Sequence, residues 1–357
     1  MSEPKMSSGG EEREESPRRK KQRPDNSDDV AVGNMQRYLV AVEYIGSRYM
    51  GFQKQKGQDG RTVQSALEEA FSKFVGKSVD SAPSSRTDTG VHALRNVCHV
   101  DVERVSKRKP GEILPPHEPA VVKRAVNHFL QKNGEDVQVV DVRCVPRNFH
   151  ARFEAKERTY HYRIIVSSEA LSVFERNRAW HTSEQLNIPA MQQACECLVG
   201  HHDFSSFRAA GCQAKSPMKT LDELRICEMP LWLCYPSEAM QIKCCDESFR
   251  GLNEERACSS EVGNSKSHLN TAALEDALVE VPETKAQRPR CYVITARARS
   301  FLYHQVRLMV GLLKAVGTGV VQVSDVPHLL EARTVTKAPP MAPACGLYLA
   351  EVKYQLD

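Results

Sequence analysis

Asp88 lies two residues after Arg86 and two before Gly90, in the run Ser84-Ser85-Arg86-Thr87-Asp88-Thr89-Gly90-Val91-His92-Ala93-Leu94. A glycine at that spacing permits a tight turn that lifts the carboxylate off its scaffold. An ionised carboxylate so placed can serve as a nucleophile or a general base. Arg86 is suited to phosphate contact or to insertion into a duplex. The motif alone is weak, because an Asp just before such a Gly most often caps its own turn. His92 and Ser85 with Asp88 suggest a hydrolase triad, but no Gly-X-Ser-X-Gly elbow surrounds Ser85. His201, His202 and Asp203 invite a metal reading. Adjacent histidines in a loop rarely chelate one ion, and the nearby Phe204 and Phe207 favour packing instead. Of the 12 cysteines, Cys195 and Cys197 point to different faces of an expected helix, and Cys244 and Cys245 have no second pair at zinc spacing. No metal site is expected.

The elements that would position Asp88 follow from periodicity. Order is expected to begin at Arg37, where Tyr-Leu-Val-Ala-Val-Glu-Tyr-Ile-Gly is β-rich and ends at Gly46. Val63, Ala66, Leu67, Ala70, Phe71 and Phe74 recur at the helical period, with Thr62 as N-cap. After the Arg86 to Gly90 turn come a strand around Asn96 to Val102, a helix around Ala120 to Leu130 and a strand near Val137 to Val145. A comparable order repeats downstream: strands at Thr159 to Val166, Leu221 to Cys227, Cys291 to Ser300 and Gly346 to Tyr354, and helices at Ala190 to Val199 and Leu302 to Val316. In that last helix Leu302, Val306, Met309, Val310 and Leu313 form an apolar stripe, beside which Arg307 reads by default as a solvated edge residue.

The chain has 357 residues, 41% of them hydrophobic, enough for two packed domains plus tails. Residues 1–36 carry dense mixed charge and few large apolar side chains, so a disordered tail is expected there. Residues 228–288, rich in Ser, Glu and Asn, read as a flexible acidic insertion between strands. Outside these two segments 36 bases face 26 acids, so the excess is +10 rather than the +4 of the whole chain. That balance suits a polyanionic partner. No apolar run reaches membrane-span length, and the acidic start resembles neither a secretory signal nor a mitochondrial presequence. The expected compartment is therefore nuclear and/or cytoplasmic, with the basic cluster Pro17 to Pro24 as a candidate nuclear address.

Six collinear segments resemble the tRNA pseudouridine synthase A family. Besides the Asp88 run they are Tyr44-Ile45-Gly46 with Gly51-Phe52-Gln53-Lys54-Gln55; Thr62-Val63-Gln64 with Leu67-Glu68; Asn148-Phe149-His150-Ala151-Arg152-Phe153 leading to Arg158-Thr159-Tyr160-His161-Tyr162; Gly200-His201-His202-Asp203-Phe204-Ser205-Ser206-Phe207; and Ser300-Phe301-Leu302-Tyr303-His304-Gln305-Val306-Arg307 with Ala344-Cys345-Gly346-Leu347-Tyr348-Leu349. The resemblance runs from Arg37 to the C-terminus, apart from the insertion. It implies an α+β pseudouridine synthase fold. Two related domains, residues 37–145 and 146–357, would share a continuous antiparallel sheet with flanking helices and a central active-site cleft.

The resemblance also implies roles. Asp88 matches the catalytic aspartate, Tyr160 the active-site tyrosine, Arg307 the basic partner of the aspartate, and Arg86 the arginine that fills the space of an extruded base. Thr89 departs from the alanine of many relatives. The implied activity is isomerisation of uridine to pseudouridine in the anticodon stem-loop of tRNA, with no cofactor. A homodimer binding tRNA across both subunits is implied as well, and Lys54, Arg95, Arg152, Lys156 and Arg158 are the expected basic groove. The rival expectation is a tRNA-binding protein or folding chaperone of the same fold with weak catalysis.

Overall fold

The computed structural model describes residues 35–55, 57, 59–106, 108–109, 111–230 and 289–356. The expected disorder of the tail and most of the acidic insertion, with Cys244 and Cys245, lie outside these residues. Within them ten strands join in one sheet.

In the first half the chain runs β1 (Met35–Tyr44), α1 (Val63–Val75), β2 (Ser81–Pro83), β3 (His92–Glu103), α2 (Pro119–Lys132) and β4 (Val137–Val145). In the second it runs β5 (Glu157–Val166), β6 (Trp180–Thr182), α3 (Ile188–Leu198), β7 (Gly200–Asp203), β8 (Met218–Met229), β9 (Arg290–Ala298), α4 (Gln305–Gly317), α5 (Asp325–Glu331) and β10 (Leu347–Lys353). The α+β class is as expected. Boundaries differ in informative ways. Strand β1 starts at Met35, inside the segment assigned to the tail, and β8 continues to Met229, inside the assigned insertion. Pairing to Glu103 and to Cys291 extends both strands beyond their apolar patterns.

The strand order is β4-β1-β3-β10-β5-β9-β8-β7, with β2 on β3 and β6 on β5, and the sheet is antiparallel except at β10–β3 and β5–β6, which are parallel. The first exception is the seam of the molecule. β10 is antiparallel to β5, and over Tyr348 and Leu349 it runs parallel to His92 and Ala93 of β3. A parallel pair needs a long crossover, which here is everything between β3 and β10. Two apolar cores flank this seam. The first gathers α1, α2 and the β1, β3 and β4 side chains but also takes Ala151, Ala155, Leu349 and Val352. The second gathers α3, α4 and the β5, β8 and β9 side chains and takes Val91 from the first half. Tyr160 packs against both.

Candidate active site

The loop from Ser84 to Val91 connects β2 to β3 and is held from beneath by three segments. Thr62 caps α1 in a reciprocal box with Ser65, and the next two backbone N–H groups, of Val63 and Gln64, donate to the carbonyls of Gly51 and Phe52. Those donors would otherwise be orphans of the helix N-terminus. Phe52 N–H in turn donates to Thr87 O at 3.0 Å, so α1 is coupled to the loop through two residues. Gly51 adopts φ +82, and a Cβ there would come within 2.6 Å of Thr87 O. Gly46 is equally constrained, since a Cβ would meet Val91 O at 1.9 Å. These contacts account for the glycines that follow β1 at those two positions.

Side chains complete the support. Buried Asn96 donates to Ser85 O and to the Tyr44 hydroxyl, which shares a 2.7 Å hydrogen bond with Thr87 Oγ1. Gly90 takes φ +78, as the turn required, and Val91 N–H closes the turn onto Asp88 O. Arg158 donates from Nε to Ser85 Oγ (2.9 Å), from Nη2 to Ser84 O and Arg152 O, and from Nη1 to Arg299 O.

Asp88 meets two basic groups, both on the same oxygen. His304 Nε2 is 3.2 Å and Arg307 Nη1 3.8 Å from Oδ2. Oδ1 has no ion-pair partner among the described residues, and the side chain keeps 29% of its exposure. Burial pushes the Asp88 carboxyl above the ordinary carboxylate range, while the charges of His304 and Arg307 oppose that rise. His304 is held below the usual imidazole value, mainly by burial; Asp88 opposes this and Arg307 adds to it. Arg307 is fixed by its Nε–H donating to Ala342 O at 2.8 Å, while Ala342 N–H donates to Arg307 O. The arginine that reads from its helix as a solvated edge residue is thus 12% exposed and aimed at the carboxylate.

His304 does not stand out in the sequence, because the apolar stripe suggests a helix from Leu302. The helix begins instead at Gln305, and His304 precedes it in the left-handed region at φ +62. That region is uncommon for residues other than Gly, although His, like Asn and Asp, enters it more readily than most. The Gln305 side chain, accepting from Leu302 N–H at 2.8 Å, stabilises this non-helical entry. Tyr303 stacks on the imidazole with ring centres 3.8 Å apart. The available signal is the histidine three residues before Arg307, one helical turn away, and only the turn geometry reveals that it faces Asp88.

Tyr160 lies on β5 opposite Leu349 of β10 and Ala296 of β9. Its ring meets Phe301 edge-on at 5.2 Å. Burial pushes its phenol up to about 12; Arg158 opposes the rise and the Asp88 charge adds to it. Arg86 is exposed at the loop.

The expected basic groove is divided by these contacts. Lys54 pairs with Glu68 and Arg95 with Asp141, and Arg158 is the clamp just described, so three of its five cations have protein partners. Arg152 and Lys156 are exposed. A cation within an ion pair can still meet a phosphate, but it must first give up part of its existing interaction.

The residues behind the hydrolase and metal alternatives are engaged in ordinary structural hydrogen bonds. His92 Nδ1 accepts from Gly46 N–H, which leaves the proton on Nε2 to donate to Asn177 O and Cys345 O, and Ser85 Oγ faces Arg158. His201 bonds Thr220, His202 bonds Val199 O, and Asp203 accepts from Ser205. Among the described residues no group of three or more His, Cys, Asp or Glu is placed to hold a metal ion. Likewise no described helix is long and apolar enough to cross a membrane.

The tRNA pseudouridine synthase family model matches residues 40–154 and 194–355. The chain belongs to this family. It is 37% identical to the tRNA pseudouridine synthase A of Caulobacter sp. (strain K31) over 90% of this chain and 99% of the relative. Identity to the protein of the same name from Xanthobacter autotrophicus is also 37%, over 90% and 100%. With that from Bartonella quintana it is 33%, over 90% and 100%. Both matched blocks carry candidate site residues, Asp88 in the first with Arg86, and Arg307 in the second with His304.

Proposed function

We propose that this chain is a tRNA pseudouridine synthase that isomerises uridine with Asp88 acting at the ribose. The observation that carries the reading is Asp88 Oδ2 against both His304 and Arg307, with no ion-pair partner on Oδ1 among the described residues and with Tyr160 near enough to feel the Asp88 charge. The reaction breaks the bond between C1′ and N1, turns the uracil and joins C1′ to C5, with no net redox change, so it requires no cofactor. Attack on C1′ and removal of the 2′ proton both use the same ionised carboxylate. The two basic groups oppose, and only in part offset, the desolvation that favours the protonated form.

Tyr160 contributes chiefly its ring. A phenol pushed up to about 12 stays protonated near neutral pH, so it stacks and donates rather than resting as a base. The target nucleotide must leave its stack for C1′ to be reached, and exposed Arg86 is suited to fill the gap. His304 holds Oδ2 and so orients Oδ1. The division into halves 37–145 and 146–357, a homodimer that binds tRNA across both subunits, and an anticodon stem-loop target belong to the same reading. So does a nuclear and/or cytoplasmic location.

The test is pseudouridine mapping on tRNA transcripts incubated with wild-type and Asp88→Asn protein. Wild type should modify the anticodon stem-loop and the variant should be slower by about 10²–10⁴-fold or more. Isomerisation by the variant at an undiminished rate would overturn the assignment, and wild-type binding without isomerisation would favour the chaperone reading. Loss of Pro17 to Pro24 from a fluorescent fusion should reduce its nuclear share; an unchanged share would remove that cluster as the address.

A further inference from the structure

Phe153 is among the most exposed large apolar side chains of the described residues, at 69%. A phenylalanine left in water forgoes the gain of burying its ring, so a rigidly presented one needs a reason. Its presentation is rigid. The turn that carries it is closed by Phe153 N–H and Glu154 N–H, both donating to His150 O at 3.1 and 3.0 Å. Behind the turn, Ala151 is fully buried and its N–H donates to His99 Nδ1. The His150 ring packs on Phe153 with centres 4.3 Å apart, and the exposed Arg152 guanidinium sits 5.9 Å from the Phe153 ring centre. An exposed aromatic ring with a mobile-ended cation over it and a second ring tilted against it supplies the stacking and cation–π contacts that take a nucleobase.

Its place in the molecule says which base. Arg158 donates from one guanidinium to Arg152 O and to Ser84 and Ser85, so the turn and the Asp88 loop are held against the same planar group. Phe153 therefore stands one residue from that clamp on one side, as Arg86 does on the other.

We infer that the turn His150 to Phe153 is a stacking platform for an unpaired base of the RNA substrate, beside the nucleotide handled at Asp88. The inference rests on the proposed RNA-modifying function. The platform selects single-stranded or flipped nucleotides, because only an unstacked base offers its face, and it does so without reading base identity.

The test uses the full chain and a tRNA transcript with 2-aminopurine at single unpaired positions around the modified uridine. Binding to wild-type protein should quench one of these probes, and Phe153→Ala should relieve the quench. The variant should also bind the transcript roughly tenfold more weakly, in line with the alanine cost of one stacked base. Phe153→Trp should retain both quench and affinity, and Phe153→Leu neither. Unchanged affinity in Phe153→Ala, or full rescue by leucine, would overturn the platform. So would a change in sedimenting mass in Phe153→Ala, which would make Phe153 a protein contact instead. Wild-type protein that formed no pseudouridine at all would sink the functional reading itself, an outcome separable from each of these.

Discussion

Asp88 is a carboxylate that its surroundings push toward protonation and its partners pull back. Since burial is the larger effect, the activity that needs the carboxylate should rise with pH through a value above the ordinary carboxylate range. Arg307 lowers the Asp88 value, so Arg307→Met should move the acid limb of kcat/KM to higher pH, and an unmoved limb would show that the pair is not coupled. The same shift has a consequence for stability. A folded-state value raised above the unfolded one means that the native state binds the proton more tightly, so stability falls as pH climbs from the unfolded value through the folded one. Asp88→Asn cannot titrate. Its melting temperature should match or exceed that of wild type at neutral pH, and the gap should close on acidification into the carboxylate range. A gap that widens on acidification would refute the sign. His304 belongs to the same scale. Its φ of +62 costs on the order of 1 kcal/mol, so His304→Gly should lose little stability while kcat falls at least about tenfold with KM for tRNA unchanged. An unchanged kcat would reduce His304 to a structural residue.

The elements around Asp88 transmit order rather than supply chemistry. α1 caps itself with Thr62 and Ser65, directs its next donors to Gly51 and Phe52, and through Phe52 fixes Thr87. Gly51→Ala places a Cβ 2.6 Å from Thr87 O on a left-handed backbone. It should cost more than about 1 kcal/mol by chemical denaturation and lower kcat through displacement of the loop. Full activity with unchanged stability would show that the loop does not depend on this contact. Thr62 and the apolar face of α1 are legible in the sequence because capping and periodicity are local. Arg307 beside Asp88 comes only with the family resemblance, since 219 positions separate them in the chain. His304 is hidden by an apolar stripe that continues one turn past the true helix start, and Arg158 passes for a groove cation because nothing local shows which carbonyls a guanidinium will meet. The short strands β2, β6 and β7 have too few residues to show a period, and their partners define them.

At the scale of the whole molecule, one strand ties the two cores together. β10 pairs with β3 on one side and β5 on the other; it sends Leu349 and Val352 into the first core and Leu347 into the second. Leu349 also faces Tyr160 across the β10–β5 register, so a residue of the joining strand is a neighbour of the candidate active-site ring. Asp88 comes from the loop before β3 and Arg307 from the helix after β9, and in the sheet β10 and β5 lie between β3 and β9. Their separation is therefore set by β10 together with β5, and of these two only β10 pairs with β3. Leu349→Ala removes a fully buried side chain and should cost about 2–5 kcal/mol. Because both cores rest on this strand, the loss should be shared: amide hydrogen exchange should accelerate in α1 and α4 together, with one unfolding transition, and kcat should fall without any change to a group at the ribose. Acceleration confined to α1, or two separated transitions, would instead show two halves that open independently and a cleft held together by other contacts.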